Sequence, residues 1–469
     1  MNKRFDAIVI GTGQAGPPLA GRLSREGLKT AIIERKLIGG TCVNVGCIPT
    51  KTLVGSAKVA YTARQAHDFG VLLNGSVRVD MAQVKKRKDE IAGASNKGVT
   101  QWIEGMKGVA LHHGHARFVG PRQVQVNGET LEADKIFIDV GARARIPNIA
   151  GLDDVDYLTN SSMMDVDTLP QHLIIIGGSY IGLEFAQMYR RFGAEVTVIE
   201  MSDRLISRED RDVSEAVHDI LAGEGVNVRL NAECVTVGRS SAGIRVGISC
   251  DDEPKEIVGT HLLVATGRVP NTDDLGLEQA GINTDERGHI VVDDCLRTNI
   301  PGVWAMGEVN GRGAFTHTAF NDYEIVAANL FDDDPRRVTD RIPCYGLFID
   351  PPLGRVGVTE REARGSGRNL LIGKRLMTRV GRAREFGETR GFIKVLVDAD
   401  SEEILGAAIL GLSGDEVVHC IADVMYARKP YTVISRAVHI HPTVAELIPT
   451  VLQELEPAVL EADFNEDRA

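Results

Sequence analysis

A glycine-rich turn that occurs twice, each time between two apolar runs, constrains the fold more than any other feature of the sequence. Residues 5–10 (FDAIVI) lead directly into residues 11–16 (GTGQAG), a helix-like stretch follows to about Gly27, and a second apolar run ends at Glu34. This is the pattern of a βαβ unit that binds a dinucleotide, in which the glycines permit close approach of a pyrophosphate and the acid binds a ribose hydroxyl. The flanking elements favour this interpretation over an ordinary glycine turn.

The second copy of the pattern lies in the middle of the chain. Residues 173–176 (LIII) precede residues 177–182 (GGSYIG), a helix-like segment runs to Phe192, and the next strand-like run ends at Glu200. The last glycine and the acid are separated by the same number of residues in both copies. Ser179 replaces the second glycine and adds a side chain at the closest approach to the pyrophosphate. Two dinucleotide sites in one chain imply electron transfer between two bound cofactors.

Composition and charge exclude several classes of protein. The 469 residues correspond to about three domains. The 53 basic and 65 acidic residues give a net charge of −12, which does not suit binding to nucleic acid. Apolar runs such as residues 173–176 and 261–265 are far shorter than the ~20 residues of a membrane span. Seven cysteines, mostly far apart, do not resemble a secreted disulfide framework. We therefore expect a soluble cytoplasmic protein that binds neither nucleic acid nor membrane.

The two cysteines that are close neighbours lie in residues 39–51 (GGTCVNVGCIPTK). Cys42 and Cys47 are followed by Pro49, which suits the first turn of a helix, so the spacing predicts that Cys47 lies at a helix N-terminus. There the helix dipole and the free N–H groups lower the pKa of a thiol and favour redox chemistry. The alternatives are half of a zinc site, for which no second Cys/His pair of ligand spacing follows, or two unrelated thiols. We predict no metal site.

This cysteine segment is highly specific, and with it the whole chain resembles the class I pyridine nucleotide-disulfide oxidoreductases, the family of glutathione reductase, lipoamide dehydrogenase and mercuric reductase. The resemblance implies that the first glycine turn binds FAD and the second binds NADH or NADPH. It implies that Cys42 exchanges with substrate and that Cys47 contacts the flavin. It also implies an ion pair between Lys51 and Glu184 beside the flavin, with Tyr180 gating the nicotinamide pocket.

A second FAD motif of the family is matched by residues 305–308 (AMGE). Glu308 stands where the family usually has Asp, and the alternative is a loop carboxylate that faces solvent. The residues that the resemblance implies for binding the two cofactors are Gly11, Gly13, Gly16, Glu34, Gly40, Thr41, Gly46, Lys51, Gly141, Gly177, Tyr180, Ile181, Gly182, Glu184, Glu200, Gly267, Arg268, Gly307 and Glu308.

Residues 439–446 (HIHPTVAE) are similar to the family's C-terminal signature, in which a His–Glu pair from the partner subunit serves as acid and base for the exchange thiol. A histidine oriented by a carboxylate could take a proton from Cys42 and return it. Thr443 and Glu446 also fit a capping box, in which the carboxylate only satisfies a backbone N–H. We interpret His439 as structural. The implied catalytic residues are Cys42, Cys47, His441, Glu446, Lys51 and Glu184, in a homodimer with composite sites.

The resemblance predicts an α/β fold with two Rossmann-like dinucleotide-binding domains, for FAD and NAD(P), and a C-terminal α+β dimerisation domain. We expect the FAD domain at residues 1–148 and the NAD(P) domain at 149–264. The second part of the FAD and central region is expected at 265–340, and the dimerisation domain at 341–469. The charged stretch 332–337 (DDDPRR) indicates a solvated linker.

Within the family, residues 382–394 and the Phe315-Thr316 region look most like mercuric reductase and the bacterial copper-reducing flavoenzymes. Two features differ from mercuric reductase, since the tail 460–469 lacks a vicinal cysteine pair and His441 stands where Tyr is usual. We therefore predict an FAD-dependent NAD(P)H oxidoreductase that reduces a small disulfide or a soft metal ion through Cys42 and Cys47. The alternatives are dihydrolipoamide dehydrogenase, a glutathione-reductase-type enzyme, and a slow diaphorase or sensor-like flavoprotein.

The choice of nicotinamide depends on the end of the second strand in the second unit. The carboxylate of Glu200 can accept hydrogen bonds from the ribose diol of NADH and would repel the 2′-phosphate of NADPH. Gly182 resembles the members that use NADH. Arg204 and Arg208 favour the opposite choice, because either could bind a phosphate if the loop folds back. The sequence predicts a preference for NADH.

Overall fold

A computed structural model describes residues 3–232, 234–249 and 255–458 of the chain. The cysteine-free tail 460–469, which ends the predicted dimerisation domain, lies outside the described residues. Residues 332–337 are exposed between a helix and a short turn of helix, as expected for a solvated linker. The domain boundaries at residues 148, 264 and 340 remain predictions.

The first glycine turn belongs to a seven-stranded sheet. Its first and second strands are parallel, with Ile8 paired to Ala31, and the helix Gly16–Arg25 connects them. Ile8 also pairs with Ile136 on the other side. The path of the sheet is Val109–His113, Thr30–Glu34, Lys3–Ile10, Glu129–Ile138, Gln123–Val126 and Arg117–Gly120, and Val303–Ala305 pairs in parallel with Glu129–Ile138.

Both faces of this sheet are buried, which explains the uninterrupted apolar run at residues 5–10. Ile8 and Ile10 pack into one apolar cluster, whereas Ala7 and Val9 pack into another on the opposite face. A strand alternates its side chains between faces, so a strand covered on both sides must be apolar at nearly every position. The first sheet is therefore the centre of a layered α/β structure.

The second glycine turn belongs to a separate four-stranded parallel sheet. The path is Asn227–Arg229, Glu195–Ile199, His172–Ile176 and His261–Val264, with the helices Tyr180–Phe192 and Arg211–Gly223. Two smaller antiparallel sheets lie beside it. One contains Cys234–Ser240, Gly243–Ser249 and Lys255–Gly259, and the other pairs Ala142–Ala144 with Arg268–Pro270.

The C-terminal part is built on a six-stranded antiparallel sheet. Its path is Cys344–Leu347, Leu353–Gly357, Ile404–Leu410, Phe392–Asp398, Leu370–Leu376 and Glu456–Pro457. The short helices around it are Glu360–Gly365, Gly381–Glu385, Gly414–Val417, His419–Tyr426, Thr432–Ser435 and Leu447–Gln453.

Four of the remaining helices carry or surround the cysteine segment, namely Gly40–Asn44, Cys47–Arg64, Met81–Glu104 and Thr316–Phe331. The short helix Leu277–Ala280 packs instead against the strand Arg117–Gly120 of the first sheet. Single turns of 3₁₀ helix occur at Ala66–Phe69, Leu152–Asp154, Ser162–Asp165, Gly307–Asn310, Val338–Asp340 and Met377–Arg379. None of the helices in the described part of the chain combines the length and apolar character needed to cross a lipid bilayer.

Candidate active site

Both glycine turns open into one large cavity of about 2340 Å³. Pockets for single small molecules are usually about 300–1,000 Å³, so this cavity has room for more than one large ligand. Cys42 and Cys47 lie in its wall. The cavity is lined by every residue that the sequence predicted for the site except Gly16, Gly182, His441 and Glu446.

The glycines of the first turn are required by close packing against the chain itself. Gly11 has φ of +104°, and a Cβ there would lie 2.1 Å from the carbonyl oxygen of Asp139. A Cβ on Gly16 would lie 2.4 Å from the carbonyl oxygen of Gly11. The start of the helix therefore packs directly onto the turn, which leaves the turn open towards the cavity. This arrangement fits a bound pyrophosphate.

The second turn repeats this geometry. Gly177 has φ of +114°, and a Cβ there would lie 2.5 Å from the carbonyl oxygen of Ala265. A Cβ on Gly182 would lie 2.1 Å from the carbonyl oxygen of Gly177. Ser179, which replaces the usual second glycine, is exposed, and it directly precedes the helix. The turn therefore keeps its form in spite of the serine.

Each predicted ribose-binding acid is tied to its own glycine turn. Glu34 Oε2 accepts hydrogen bonds from the Thr12 N–H at 3.1 Å and the Thr12 hydroxyl at 2.6 Å. Glu200 Oε2 accepts one from the Gly178 N–H at 2.6 Å, and its Oε1 accepts one from the Ser202 N–H at 2.9 Å. Both carboxylates are thus held in place beside the turn that would bind the dinucleotide.

The two thiols of the cysteine segment differ in acidity. Cys47 is the first residue of the helix Cys47–Arg64, which confirms the predicted helix N-terminus. Both cysteines are free thiols in the structure. A hydrogen bond from Cys42 lowers the pKa of Cys47 to about 6, and Thr316 and the charge of Lys51 add to this effect. The hydrogen bond to Cys47, followed by burial, raises the pKa of Cys42. At neutral pH Cys47 is the thiolate and Cys42 keeps its proton.

The ion pair that the resemblance implies is present one helical turn after Cys47. Lys51 Nζ lies 2.7 Å from Glu184 Oε2. The other oxygen, Glu184 Oε1, accepts a hydrogen bond from the Phe348 N–H at 3.1 Å. Lys51 Nζ also lies 4.4 Å from the centre of the Phe348 ring. These contacts fix a positive charge close to the Cys47 thiolate.

Glu308 is paired with a cation that the sequence had assigned to the same site. Arg268 Nε lies 2.7 Å from Glu308 Oε1 and 2.9 Å from Oε2. Arg268 Nη2 also donates to the carbonyl oxygen of Ala142 at 2.6 Å. The longer side chain is accommodated by this ion pair in the cavity wall, and the role of Glu308 towards FAD remains a prediction.

The His–Glu pair of the C-terminal signature is formed within one chain, and neither residue lines the cavity that holds the two cysteines. His441 Nδ1 lies 2.9 Å from Glu446 Oε2, and the His441 side chain is 80% exposed. The capping-box contacts are also present, because the Thr443 N–H donates to Glu446 Oε1 at 3.4 Å and the Glu446 N–H donates to the Thr443 hydroxyl at 3.2 Å. The contacts of Glu446 therefore fit both the His–Glu pair and the capping box. The helix itself begins only at the next residue, Leu447.

Comparison with known proteins decides the family. Residues 5–322 match the family described as pyridine nucleotide-disulphide oxidoreductase, and residues 344–452 match its dimerisation domain. The chain belongs to the pyridine nucleotide-disulphide oxidoreductase family. The predicted family, the α/β fold with a C-terminal dimerisation domain, and the enzyme class are confirmed. Members of this family are flavoproteins that use a pyridine nucleotide.

Similar members of the family carry different activity names. The probable pyridine nucleotide-disulfide oxidoreductase RclA of Escherichia coli is 35% identical over 455 residues, which are 95% of this chain and 98% of that protein. Dihydrolipoyl dehydrogenase of Thermus scotoductus is 34% identical over 453 residues, covering 95% and 96%. The solved Cu(II) complex of the HOCl-induced flavoprotein disulfide reductase RclA from E. coli superposes with a TM-score of 0.87 at 33% identity, covering 97% and 99%.

Asp139 is a site residue that the sequence analysis missed. It directly follows the strand Glu129–Ile138, and its Oδ2 accepts a hydrogen bond from the Gly16 N–H at 2.7 Å. Burial above all raises the pKa of Asp139 to about 8, with the charges of Asp322 and Glu34 adding to it. Its position at the carboxyl end of a central parallel strand, where such folds bind ligands, was the available signal.

A stack of aromatic rings in the cavity wall was also not predicted. The Phe315 ring lies between the rings of His317 and Tyr345, with both pairs of ring centres 5.5 Å apart. The next residue, Thr316, has its hydroxyl 3.1 Å from Cys47 Sγ. The sequence singled out the Phe315-Thr316 region only for its resemblance to other family members, and the stack itself could not be predicted because it combines two segments that are distant in the sequence.

Proposed function

We propose that the protein passes two electrons from NADH to Cys42 and Cys47, and that the reduced pair then reduces a disulfide or a soft metal ion. The observation that carries this proposal is the pair of neighbouring thiols with opposite pKa shifts in the wall of a cavity shared by both glycine turns. The first turn, with Glu34 and Glu308, would hold FAD, and the second turn, with Glu200, would hold the nicotinamide nucleotide. FAD, when bound, supplies the two-electron chemistry between nicotinamide and dithiol.

The residues around Cys47 keep it ready to act as a thiolate. The hydroxyl of Thr316 and the charge of Lys51 both stabilise the negative sulfur, and Glu184 holds Lys51 in place. A thiolate is the nucleophilic form of cysteine. Cys42 keeps its proton at neutral pH and therefore needs a base before it can attack a substrate.

We propose that this base is His441 of the partner subunit, in a homodimer with two composite sites. Within each chain Nδ1 of this histidine is held by Glu446, which leaves Nε2 to take a proton. The His441 side chain is exposed and lies outside the cavity of its own chain, as a composite site requires. Arg382 Nε donates to the carbonyl oxygen of Pro442 at 3.0 Å, which holds the residue that directly follows His441.

A disulfide substrate would be reduced in two thiol–disulfide exchange steps. Cys42 Sγ, deprotonated by the partner's His441, attacks one substrate sulfur, the substrate S–S bond breaks, and the released thiolate takes the proton from that histidine. The Cys47 thiolate then attacks Cys42 Sγ, which releases the second substrate thiolate. Two electrons leave with the substrate, and the chain is left with a Cys42–Cys47 disulfide.

A soft metal ion is the second class of acceptor that we propose. Thiolates are preferred ligands of soft cations, and the E. coli relative has been solved as a Cu(II) complex. Oxidation of the dithiol to a disulfide releases two electrons, enough to reduce two Cu(II) ions to Cu(I).

We also propose that the protein works in the cytoplasm, because a dithiol of this kind is maintained where thiols stay reduced.

Acceptor assays test the proposal most simply. Anaerobic oxidation of NADH is followed with lipoamide, glutathione disulfide, Cu(II) and Hg(II) side by side, for the wild type and for Cys42→Ser. We expect turnover with at least one acceptor and its loss in Cys42→Ser. Turnover that survives this substitution would support the diaphorase alternative. Lipoamide as the best acceptor would support dihydrolipoyl dehydrogenase, the activity named for the relative from T. scotoductus.

The preference for NADH is tested at Glu200. Its carboxylate is fixed by two backbone N–H groups, whereas Arg204 donates to the Ser207 carbonyl oxygen at 3.3 Å and Arg208 lines the cavity. We expect kcat/KM to be about tenfold higher with NADH than with NADPH, equivalent to about 1.4 kcal/mol. Glu200→Ala should narrow the difference in kcat/KM between NADH and NADPH. A wild-type kcat/KM with NADPH that equals or exceeds the value with NADH would contradict the preference.

A further inference from the structure

The carboxyl group of Asp139 lies beneath both segments that would hold FAD. The residue is 5% exposed, and its Oδ2 accepts a hydrogen bond from the Gly16 N–H at 2.7 Å. A Cβ on Gly13 would lie 2.9 Å from Oδ2, and a Cβ on Gly307 would lie 3.1 Å from Oδ1. Asp139, Gly13 and Gly307 all line the cavity. One carboxyl group therefore lies against the first glycine turn, the start of its helix and the second FAD motif.

The second glycine turn forms without an acid at this position. Gly11 packs against the carbonyl oxygen of Asp139, and Gly177 packs in the same way against the carbonyl oxygen of Ala265. Ala265 is therefore the counterpart of Asp139, and its side chain is a methyl group. Both turns nevertheless have the same backbone form, with φ of +104° at Gly11 and +114° at Gly177. Since the turn itself does not require an acid, the carboxyl group of Asp139 is left to act on the ligand.

The surroundings of Asp139 oppose a negative charge. Burial above all raises the pKa of Asp139 to about 8, and the charges of Asp322 and Glu34 add to this effect. Hydrogen bonds from the backbone N–H groups of Gly16 and Ala15 lower the pKa but do not outweigh burial. Asp139 is therefore mostly protonated at neutral pH. The proton belongs on Oδ1, because Oδ2 accepts the hydrogen bond from Gly16.

The other charged groups next to Asp139 do not compensate a negative charge there. They are the carboxylates of Glu34, Asp322 and Glu308. Arg341 is paired with Asp322, and Arg268 is paired with Glu308. The pyrophosphate of FAD brings two more negative charges to the same turn. Because like charges at close range disfavour ionisation, an ionised Asp139 and a bound pyrophosphate would each destabilise the other.

We propose that Asp139 binds FAD as a neutral carboxylic acid that donates a hydrogen bond from Oδ1 to the pyrophosphate, and that loss of this proton weakens the binding of FAD. Below the pKa of Asp139 in the FAD-free protein the full affinity is present, and it falls as the pH rises above that pKa. At higher pH, binding of FAD therefore takes up one proton from solution. The inference rests on the proposed function in assigning FAD to the first turn.

Two variants separate this role from a general effect of pH. Asp139→Asn keeps an acceptor for the Gly16 N–H and a donor at the position of Oδ1, but it cannot ionise. Asp139→Ala copies the second turn, and it can neither ionise nor donate. Between about pH 7 and about pH 9.5 we expect the Kd of the wild type for FAD to rise about tenfold or more, and that of Asp139→Asn to stay within about threefold. Asp139→Ala should bind FAD about threefold to tenfold more weakly than the wild type at pH 7, without this rise.

The holoenzymes are dialysed to equilibrium at each pH, and bound and free FAD are measured by flavin fluorescence after denaturation. Circular dichroism checks that the proteins stay folded. All other titrating groups are the same in the three proteins, so the ratio of the wild-type Kd to a variant's Kd isolates Asp139, and either variant decides the question if the other does not fold. A ratio that is the same at both pH values would overturn the proposal. A wild type that binds no FAD at any pH would contradict the proposed function as well.

Discussion

The different acidities of the two thiols depend on a few contacts of Cys47. Its sulfur interacts with Cys42, with the Thr316 hydroxyl at 3.1 Å and with the charge of Lys51. Burial acts in the opposite direction and raises the pKa. The contacts that lower the pKa of Cys47 outweigh the effect of burial. Removal of one of these contacts should therefore bring the pKa back towards the ordinary value of a thiol.

Substitution of Thr316 tests this balance. In the reduced holoenzyme, the rate at which iodoacetamide modifies Cys47 should rise with pH to a half-maximum near 6, where the thiol ionises. Thr316→Val removes the hydroxyl and should move the half-maximum to higher pH, whereas Thr316→Ser keeps the hydroxyl and should leave it near 6. Mass spectrometry of the modified peptide provides the site-specific rate. Identical profiles for Thr316→Val and the wild type would show that Thr316 does not stabilise the thiolate.

At the scale of elements, the glycine turns and the start of the cysteine helix could be predicted because each depends on a local pattern. Gly11 and Gly177 mark turns with positive φ, and Pro49 marks the first turn of the helix that begins at Cys47. Asp139 was missed, although it directly follows a strand at the edge where such folds bind ligands. Its partner Gly16 comes from a segment distant in the sequence, and a single acidic residue carries no local pattern that indicates which helix will pack against it.

A buried lysine joins the C-terminal sheet to the helix Arg211–Gly223. Lys394 Nζ lies 2.8 Å from Asp212, 3.0 Å from Glu360 and 3.1 Å from Asp210, and its side chain is 1% exposed. Burial alone would lower the pKa of Lys394, but the carboxylates of Asp212 and Asp210 raise it. The lysine is therefore charged, and it shares these acids with Arg355, which contacts Asp210, and with Lys374, which contacts Asp212.

Replacement of this lysine should destabilise the protein strongly. Lys394→Met keeps most of the side-chain volume but removes the charge that contacts all three acids, and Arg355, Lys374 and Arg364 each compensate only one of them, so we expect the free energy of unfolding to fall by about 3 kcal/mol. Lys374→Met is the control, since Lys374 also pairs with Asp212 but is 39% exposed, and it should cost about 1 kcal/mol or less. Urea unfolding followed by circular dichroism measures both. Equal effects of the two substitutions would contradict the account.

At the scale of the whole molecule, a composite site makes activity a property of the dimer. Each site would combine Cys42 of one chain with His441 of the partner subunit, so the variants Cys42→Ser and His441→Ala are each expected to be inactive. After refolding together, half of the dimers are mixed and each mixed dimer has one intact site. We expect about a quarter of the wild-type activity to return. No recovery, with mixed dimers demonstrated by mass spectrometry, would contradict shared sites.

If electrons from the nicotinamide reach Cys42 and Cys47, reduction must convert both residues to thiols that can be counted. The oxidised holoenzyme is mixed with one equivalent of NADH without oxygen, then denatured, alkylated and mapped by mass spectrometry. The account predicts two new alkylated thiols per chain, at Cys42 and Cys47, with no change at Cys295, Cys344 or Cys420. Consumption of NADH without new thiols at Cys42 and Cys47 would contradict it.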